Sequence, residues 1–499
     1  MAEPYYLTTA IHYPNGRPHI GHAYEMIAAD AIARFQRQQG RDVFFQTGTD
    51  EHGLKMVKTA RDRGVEVRAL ADEMSGYFRE MAELLDISCD RFIRTSEPEH
   101  YAASQAIWQA MADAGDLYLD RYEGWYSVRD EAFYEEKELT EGEGGAKLSP
   151  QGTPVEWTAE ETWFFKLSKY QQPLLDFYAA NPDFIRPESR RNEVLRFVEG
   201  GLVDLSVSRT SFDWGVPVPG SPGHVMYVWV DALTNYLTGA GYPHDPERVA
   251  KYWPADLHLI GKDIVRFHAV YWPAFLMSAK IALPRQVFGH GFLLNRGEKM
   301  SKSVGNVVDP MALARLYGVD ALRYFLLRDV SFGNDGTFSD EAIVTRANAD
   351  LSNSFGNLAQ RVLAFIAKNL DGLVEAGTPD PADTALLREV ETACEGFTRS
   401  FSDLSLSQGL EAWMAGVFAC NQYIDVQAPW ALRKTDPARM HAVLGTLLKA
   451  IRRLAVTIQP VVPGSAAKLL DQLGPEGDAG FRIAPPTPIF PRLELKEDV

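Results

Sequence analysis

The chain has 499 residues, of which 46% are hydrophobic, so it is long enough for about three domains that each bury a core. It carries 50 Lys and Arg against 67 Asp and Glu, a formal net charge of -17, which argues against a generally basic nucleic-acid binder but leaves room for a local basic face toward RNA. Its cysteines, Cys89, Cys394 and Cys420, are too few and too scattered for a disulfide framework or a thiolate metal cluster, and they fit a reducing cytoplasm.

The first residues and the apolar stretches predict neither a secretory nor a membrane segment. The first residues lack the basic and then apolar order of a signal peptide. The most apolar stretch, at 269–279, is too short to span a bilayer and is followed by Lys280. The sequence therefore predicts a cytoplasmic protein that does not enter a membrane.

The first part of the chain alternates expected strands with expected helices. Residues 5–11 are rich in β-branched and aromatic types and predict a strand, and a helix is expected to begin near 19–21 and to end at Gly40. The next expected elements are a strand at 43–46, helices around 54–63 and 66–85, a strand at 91–95 and a helix near 98–114. This alternation indicates a parallel sheet built from crossover units.

The pattern changes at about residue 116. Residues 117–135 are typical of aromatic-rich hairpin strands, 135–147 of a charged, Gly-rich loop, and residues 160–200 return to helical periodicity, so this stretch is interpreted as an insertion. Alternation resumes near 223, with a helix at 231–240, a strand at 257–260, a helix at 264–280 and a strand at 287–294.

The rest of the chain is expected to be helical almost without strands. A Lys- and Ser-rich loop at 296–308 and short helices at 310–328 come first, followed by helices at 341–369, 381–400, 406–427 and 436–457 and a Pro-rich end that runs back over the surface. The predicted fold class is therefore α/β: a doubly wound, Rossmann-like parallel-sheet domain that is split by an insertion and followed by an all-α C-terminal bundle.

Residues 19–22, His-Ile-Gly-His, lie between an expected strand and an expected helix. The start of a helix offers backbone N–H groups and the positive end of its dipole, which suit a phosphate. Gly21 leaves room for a flat ring against the backbone, and His19 and His22 can donate to phosphate oxygens. A His pair at a helix start is more often structural or close to a metal, so this motif alone does not decide.

Residues 299–303, Lys-Met-Ser-Lys-Ser, follow a bend at Gly297. Two lysines and two hydroxyls in a loop can gather around a polyphosphate and neutralise the charge on its leaving group. A lone Lys-x-x-Lys stretch is usually a solvated basic loop. The two motifs together are more specific, because each follows a strand in a separate half of the fold and both are expected to face one crevice at the carboxyl ends of the strands.

With its HIGH and KMSKS motifs the chain resembles class I aminoacyl-tRNA synthetases. Other stretches are similar to the methionyl-tRNA synthetase family in particular: AIHYPNGRPHIGH, TGTDEHG, YVWVDALTNY, LIGKDIVRFHAVYWPAFL and GNLAQR. The resemblance covers essentially the whole chain. It implies a methionine–tRNA ligase that uses ATP together with Mg²⁺.

The resemblance implies a reaction in two steps. The carboxylate of L-methionine attacks the α-phosphate of ATP to give methionyl-adenylate and pyrophosphate, and the 3′-terminal adenosine of initiator and elongator tRNA(Met) then accepts the methionyl group. The catalytic residues that it implies are His19, His22, Lys299 and Lys302. The ATP-binding residues that it implies are His19, Gly21, His22, Gly261, Asp263, Lys299, Ser301 and Lys302, with Asp263 on the ribose hydroxyls.

For methionine, the resemblance implies a carboxylate for the ammonium group and an apolar, aromatic pocket for the thioether, since sulfur packs well against ring edges. Asp50 matches that carboxylate, although an Asp before Glu-His-Gly fits a helix cap equally well. His268 and Trp272 lie four apart on one helical stripe and can converge, but aromatic residues at such spacing are more often ordinary core. The implied pocket residues are Ala10, Ile11, Tyr13, Trp229, Ala232, Leu233, Tyr236, Ile264, His268 and Trp272.

The helical C-terminal part resembles an anticodon-binding bundle. Asn357 and Arg361 are four apart on one helix face and can hydrogen-bond unstacked bases. An exposed indole at Trp430, which follows Pro429, could stack on an anticodon base, whereas a lone Trp near a helix end is otherwise more often a packing anchor. The expected partners are therefore the acceptor end and the anticodon of tRNA(Met), with L-methionine and ATP.

The expected domain limits follow from the pattern and the resemblance together. Residues 1–115 and 223–295 are the two halves of the catalytic domain, and 116–222 is the inserted connective domain. The remaining limits are 296–345 for the KMSKS loop and stem-contact region, 346–475 for the anticodon-binding domain and 476–499 for the tail. The extra tRNA-binding domain of dimeric relatives is not found before residue 499, so a monomer is expected.

The chain departs from many members of this family in its inserted domain. Many relatives hold zinc there with Cys-x-x-Cys pairs, but residues 116–222 contain neither cysteine nor histidine. No metal site, and zinc in particular, is expected. His12 stands where relatives often have proline, close to the implied pocket.

Several other functions compete with this interpretation. Synthetases for valine, isoleucine or leucine normally add an editing domain, for which the insertion is too short, and a cysteine enzyme would need zinc thiolates. A small nucleotidyltransferase would lack the helical bundle. A non-catalytic tRNA-binding paralogue would not need the intact His19, His22, Lys299 and Lys302.

Overall fold

The computed structural model describes residues 2–127, 132–298, 300, 307–477 and 480–495. The described chain divides into two compact units, each assembled from separate stretches of sequence. The first unit comprises Met1–Pro18, Gly40–Glu83 and Ile87–His290, and the second comprises His19–Gln39, Leu84–Asp86 and Gly291–Val499.

A parallel sheet organises the first unit, and among the described residues it has six strands. Their order across the sheet is Arg91–Arg94, Asp42–Thr49, Pro4–His12, Leu257–Gly261, Val287–His290 and Ile185–Arg186. From Pro4–His12 the next two strands along the chain are added toward one edge of the sheet, whereas Leu257–Gly261 and its neighbours extend the sheet toward the other edge. Open parallel sheets bind ligands beside the carboxyl ends of their strands at such a switch point.

The strand Pro4–His12 shows why these segments form central strands. Its residues 5–10 are buried without alternation, as expected for a strand that is covered on both faces.

The α-helices of the first unit are Leu54–Arg63, Val67–Leu84, Pro98–Asp113, Gln171–Ala180, Glu188–Glu199, Val228–Ala240, Pro246–Tyr252 and Trp272–Ser278.

The prediction of one regular helix at 264–280 is wrong, because the segment consists of three different helical types. Lys262–Ile264 is a turn of 3₁₀-helix, Phe267–Tyr271 is π-helical, and only Trp272–Ser278 is α-helical. A π-helical turn inserts an extra residue, so it rotates the side chains that follow away from the positions that a 3.6-residue repeat assigns.

An antiparallel sheet lies within the expected insertion. Leu117–Ser127 pairs with Glu156–Phe165, and Ala132–Tyr134 and Leu205–Ser206 extend the sheet on either side. The helical periodicity expected from residue 160 is wrong up to residue 165, where Trp163, Phe164 and Phe165 form part of the strand. Short strands of this unit also occur at Thr140–Glu141, Lys147–Leu148, Ser208–Arg209 and Val225–Met226, and further 3₁₀ turns at Glu136–Glu138, Glu143–Gly145 and Leu167–Tyr170.

The predicted strand at 287–294 is also wrong as a single element. Val287–His290 belongs to the parallel sheet, whereas Leu293–Asn295 pairs in parallel with Gly336–Phe338 in the second unit. Gly291 lies between them, and a Cβ atom there would come within 2.1 Å of the Asn334 backbone. A larger residue at position 291 would therefore clash with the backbone at Asn334.

Helices make up most of the second unit. Its α-helices are Ile20–Gln38, Pro310–Tyr317, Val319–Asp329, Asp340–Arg346, Asn357–Leu370, Pro381–Ser402, Leu406–Gln427, Pro429–Thr435, Pro437–Ile458 and Pro463–Leu473, and Ala347–Gly356 is π-helical. The sequence did not predict Pro463–Leu473, nor the small antiparallel sheet of Leu373–Glu375, Glu476–Gly477 and Gly480–Arg482. The helix Ile20–Gln38 begins within the range predicted for its start, near 19–21.

The predicted fold class is confirmed, since a parallel sheet with helices is accompanied by a helical C-terminal region. Within the described residues, no helix is both long enough and apolar enough to cross a membrane. The expected domain limits stay predictions.

Candidate active site

His19 and His22 form a reciprocal cap at the start of the helix Ile20–Gln38. Nδ1 of His19 lies 3.1 Å from the backbone nitrogen of Gly21, and Nδ1 of His22 lies 3.1 Å from the backbone nitrogen of His19. Their rings stack with centroids 3.7 Å apart. The HIGH motif therefore satisfies backbone donors that a helix start otherwise leaves unpaired.

This cap fixes the tautomer of both rings. A backbone N–H only donates, so each Nδ1 must accept, and in the neutral imidazole the proton then sits on Nε2. Gly21 is constrained by the same arrangement, because a Cβ atom there would lie 2.9 Å from Cε1 of His19. The motif thus presents two Nε2–H donors, which is the chemistry expected of groups that contact phosphate oxygens.

Several residues that the resemblance implies for methionine binding lie at the carboxyl ends of the parallel strands in the first unit. Ala10 and Ile11 are near the end of Pro4–His12, and Asp50 directly follows Asp42–Thr49. The backbone nitrogen of Asp50 donates to the carbonyl of His12 at 2.9 Å, which joins the two strand ends. Asp50 is 7% exposed, so its carboxylate is largely removed from water.

Aromatic packing brings much of the implied pocket together. Trp229 stacks on Phe267 with ring centroids 3.5 Å apart. Trp229 and Ile11 also pack against a buried cluster that contains Ala232. A second buried cluster contains four more of the implied residues, Ala10, Leu233, Tyr236 and Trp272, and Ile264 packs against it.

A buried hydrogen-bond chain crosses this pocket. The hydroxyl of Tyr236 is 2.7 Å from Nε2 of His268, and Nδ1 of His268 is 2.9 Å from the carbonyl of Ile264. The carbonyl can only accept, so neutral His268 carries its proton on Nδ1 and accepts the Tyr236 proton at Nε2. His268 and Trp272 both approach Tyr236, whose ring centroid is 6.2 Å from that of Trp272.

His258 and Phe267 are pocket neighbours that sequence reasoning missed. The Trp272 indole donates to Nε2 of His258 at 3.3 Å, and Nδ1 of His258 lies 2.7 Å from the Thr8 hydroxyl. Burial, together with neighbouring His268, holds the pKa of His258 well below its usual value, so this ring is neutral. It lies on the buried strand Leu257–Gly261, a position that does not by itself distinguish a pocket neighbour from ordinary core.

Two implied residues stand apart from these clusters. Tyr13 packs against a separate buried cluster that contains Met56 and Leu70, and its hydroxyl accepts from the backbone nitrogen of Met56 at 3.2 Å. Asp263 is exposed in the 3₁₀ turn after Leu257–Gly261. A Cβ atom at Gly261 would lie 2.7 Å from Oδ1 of Asp263, so a larger residue there would displace this carboxylate.

The implied anticodon residues lie in the second unit. Asn357 begins the helix Asn357–Leu370 and is exposed, and Arg361 lies one turn further along. The guanidinium of Arg361 lies over the ring of Trp430, which is 41% exposed. Arg361 and Trp430, which were implied separately, are therefore neighbours.

Lys299, Ser301 and Lys302 lie outside the described residues. The prediction that the KMSKS motif faces the same crevice as the HIGH motif therefore stays a prediction. Among the residues that the structure describes, no group of three or more His, Cys, Asp and Glu side chains could hold a metal ion. Residues 116–222 supply neither cysteine nor histidine, which are the usual ligands of structural zinc.

Comparison with known proteins covers the whole chain. The family profile "tRNA synthetases class I (M)" matches residues 5–363, and "Anticodon binding domain of methionyl tRNA ligase" matches residues 373–482. The methionine–tRNA ligases of Brucella suis biovar 1 and Mycobacterium bovis are both 57% identical, covering 98% and 99% of this chain and 98% of each relative.

Solved structures agree with these matches. Mycobacterium tuberculosis methionyl-tRNA synthetase in complex with methionyl-adenylate is 56% identical, covers 98% of this chain and 100% of that one, and superposes with a TM-score of 0.95. The apo form from the same organism is 53% identical, covers 99% of both chains and gives a TM-score of 0.89. The buried aromatic pocket, the HIGH cap and matches of this extent converge on one conclusion, that the chain belongs to the methionyl-tRNA synthetase family of class I aminoacyl-tRNA synthetases.

Proposed function

We propose that this chain is a methionine–tRNA ligase that activates L-methionine with ATP and transfers the methionyl group to initiator and elongator tRNA(Met). The observation that carries this proposal is the buried aromatic pocket around Tyr236 and His268 in a chain whose relatives over its full length are methionine–tRNA ligases. A soft aromatic lining suits a thioether, because sulfur packs favourably against rings.

In the first step, a methionine carboxylate oxygen forms a bond to the α-phosphorus of ATP. The bond from that phosphorus to the oxygen bridging to the β-phosphate breaks, and pyrophosphate leaves with the electron pair. The protein's part is positioning and charge stabilisation, because phosphoryl transfer needs no protein nucleophile. We assign the Nε2–H groups of His19 and His22 to phosphate oxygens, and Lys299 and Lys302 to the departing pyrophosphate.

The remaining ATP contacts are assigned by the same reasoning. The small Gly21 leaves the helix start open to a flat ring, and Gly261 does the same beside Asp263, which is assigned to the ribose hydroxyls. Ser301 supplies a hydroxyl next to the two lysines. Mg²⁺ would accompany ATP and would neutralise part of the charge on its phosphates, without requiring a cage of protein ligands.

Methionine is recognised at both of its ends. Asp50 holds the ammonium group, a role that its buried carboxylate at a strand end supports. Trp229, Tyr236, His268 and Trp272 surround the side chain, with the remaining pocket residues Ala10, Ile11, Tyr13, Ala232, Leu233 and Ile264. His268 accepts from Tyr236, so the pair places one polar contact in an otherwise apolar setting.

In the second step, a hydroxyl of the terminal adenosine of tRNA(Met) attacks the methionyl carbonyl carbon. An ester forms, the bond to the AMP oxygen breaks, and the hydroxyl proton is lost to solvent. Asn357, Arg361 and Trp430 contact the anticodon, which an exposed indole beside a guanidinium supports. We further propose that the enzyme works in the cytoplasm as a monomer.

The decisive experiment is a panel of ATP–pyrophosphate exchange assays with methionine, valine, isoleucine, leucine and cysteine. Exchange that depends on methionine alone is expected. Exchange with another amino acid would point to a different class I synthetase, and no exchange together with tRNA binding would point to a non-catalytic paralogue.

Zinc is tested separately. We propose that the purified protein contains no stoichiometric zinc, because residues 116–222 have neither cysteine nor histidine to bind it. Elemental analysis that finds about one zinc per chain would contradict this proposal.

A further inference from the structure

Hydrogen bonds on both sides of Asp50 hold the loop that carries it. On one side the Asp50 backbone is tied to His12. On the other, Glu51 is fully buried and receives Nε of Arg94 at 2.6 Å and Nη2 at 3.0 Å. The indole of Trp214 donates to the Glu51 carbonyl at 2.5 Å. Such a loop has little freedom to move its carboxylate.

His52 extends this network to a second buried carboxylate. Nδ1 of His52 lies 2.6 Å from Oδ2 of Asp231, and Nε2 of His100 lies 2.6 Å from Oδ1 of the same residue. An ionised carboxylate only accepts, so both imidazoles donate to Asp231. The other nitrogen of His52 is 3.0 Å from the Tyr101 hydroxyl, and that of His100 is 3.0 Å from the Thr238 hydroxyl.

Asp231 is 0% exposed, and a buried charge is costly unless it is paired. Burial alone raises the pKa of Asp231, but the charges and hydrogen bonds of His52 and His100 outweigh it and hold the pKa below its usual value. The carboxylate therefore stays ionised and keeps both of its bonds. Its place in the first turn of Val228–Ala240 adds the favourable end of the helix dipole.

The helix that carries Asp231 also carries Trp229 and Tyr236 of the pocket. The Asp231–His52 bond therefore connects two parts of the proposed methionine site: the loop with Asp50 and the helix that lines the side-chain pocket. Methionine is held at both ends, so the distance between these parts determines whether both contacts form at once.

We propose that Asp231, acting through His52, is a positioning residue that sets the Asp50 carboxylate against the pocket helix for methionine binding. This inference rests on the proposed function, in which Asp50 holds the ammonium group. Neither Asp231 nor His52 is assigned a contact with methionine; they act by fixing the residue that makes it.

The central test is Asp231→Asn, which keeps the shape but leaves one oxygen for two imidazole donors. Methionine affinity is measured by calorimetry without ATP, alongside the ATP KM in pyrophosphate exchange. We expect the methionine Kd to rise about tenfold or more, as for the loss of a charge-assisted hydrogen bond, with the ATP KM within about twofold of wild type. Asp116→Asn is the matched control, because Asp116 is 1% exposed and accepts from Lys169 and Ser278.

A double-mutant cycle separates positioning from general loss of structure. We expect Asp231→Asn to cost little once Asp50→Asn is present, because both remove the same contact. Wild type and Asp231→Asn should also bind 4-(methylthio)butanoate, which lacks the ammonium group, with the same Kd. Additive effects, or an equal loss of methionine affinity in Asp116→Asn, would overturn the proposal.

A His52 pair decides the question even if Asp231→Asn does not fold. His52→Asn retains an N–H donor near the Nδ1 position and should keep the methionine Kd within about threefold, whereas His52→Leu removes the donor and should raise it about tenfold or more. Equal affinities in the two variants would refute the positioning role. If Asp50→Asn itself leaves the methionine Kd unchanged, the assignment of Asp50 fails instead, while methionine-dependent exchange still tests the ligase function.

Discussion

The guanidinium carbon of Arg361 lies 5.0 Å from the centre of the Trp430 ring, and Nη2 of Arg361 also lies 2.8 Å from Oδ1 of Asp425. A cation over an indole face is a favourable contact. The two residues come from separate helices, so the pair gives the exposed ring of Trp430 a defined orientation. A fixed, exposed aromatic ring is suited to stacking on an unpaired base.

We expect Trp430→Ala to impair tRNA charging without affecting adenylation. Stacking on one base contributes about 1–3 kcal/mol, so the tRNA KM should rise at least about fivefold. ATP–pyrophosphate exchange should stay at the wild-type rate. Phe418→Ala is the control, because Phe418 is also an exposed aromatic residue of this unit, at 57%. Equal loss of charging and exchange in Trp430→Ala would indicate misfolding instead.

Two substitutions of His19 should separate its structural role from its proposed catalytic one. His19→Asn retains an acceptor for the Gly21 amide and a good helix cap but loses Nε2–H, so stability should change little while the exchange rate falls about a hundredfold. His19→Gln can place a donor near Nε2 but loses the cap, so it should retain more activity and unfold at a lower temperature. If both variants show normal exchange, His19 does not contact ATP.

The sequence predicted the elements whose signals are local. The helix start near 19–21 follows from its cap residues, and the second strand follows from a short buried run. The structure has Ile20–Gln38 and Asp42–Thr49 in these places. Ile185–Arg186 could not be predicted in the parallel sheet, because two residues carry no periodic signal and their partner Val287–His290 is about a hundred residues away.

The pocket was predicted less completely than the fold. Phe267 stacks on Trp229 from within the π-helical turn, where a 3.6-residue repeat assigns positions wrongly. His258 lies on a buried strand, and nothing in its spacing distinguishes a pocket neighbour from ordinary core. Such contacts depend on which distant segments meet, and a single sequence records that only through resemblance.

For the KMSKS motif, we expect Lys302→Ala to lower the adenylation rate much more than the affinity for methionine. An ammonium group that stabilises the departing pyrophosphate acts mainly in the transition state, so kcat in pyrophosphate exchange should fall about a hundredfold. The methionine Kd from calorimetry should remain within about twofold. Lys251→Ala, which removes a surface lysine paired with Asp42, serves as the control. An unchanged exchange rate would rule out the assignment.

Asp383 should make the stability of the helical region depend on pH. Burial raises the pKa of Asp383, but hydrogen bonds from Arg439 and Tyr423 outweigh it, and the net shift is downward. A carboxyl with a lowered folded pKa stabilises the protein above its unfolded pKa of about 4, and this contribution is lost as the pH falls through the folded value.

Asp383→Asn should therefore lower the unfolding temperature at neutral pH, and its difference from wild type should shrink below about pH 4. Thermal unfolding followed by circular dichroism across this range checks the prediction. Glu395→Gln, in an exposed pair with Arg399, should show almost no difference at any pH. A gap between wild type and Asp383→Asn that persists in acid would show that the ionised form of Asp383 is not what stabilises the bundle.

The strand Ile185–Arg186 has a practical consequence for anyone who wishes to shorten this protein. It comes from the segment that interrupts the parallel sheet, yet it covers the outer edge of Val287–His290. Excising residues 116–222 to obtain a minimal methionine-activating core would expose a row of backbone donors and acceptors, and exposed strand edges invite aggregation. A workable trimmed enzyme would have to retain this dipeptide and the helices that flank it.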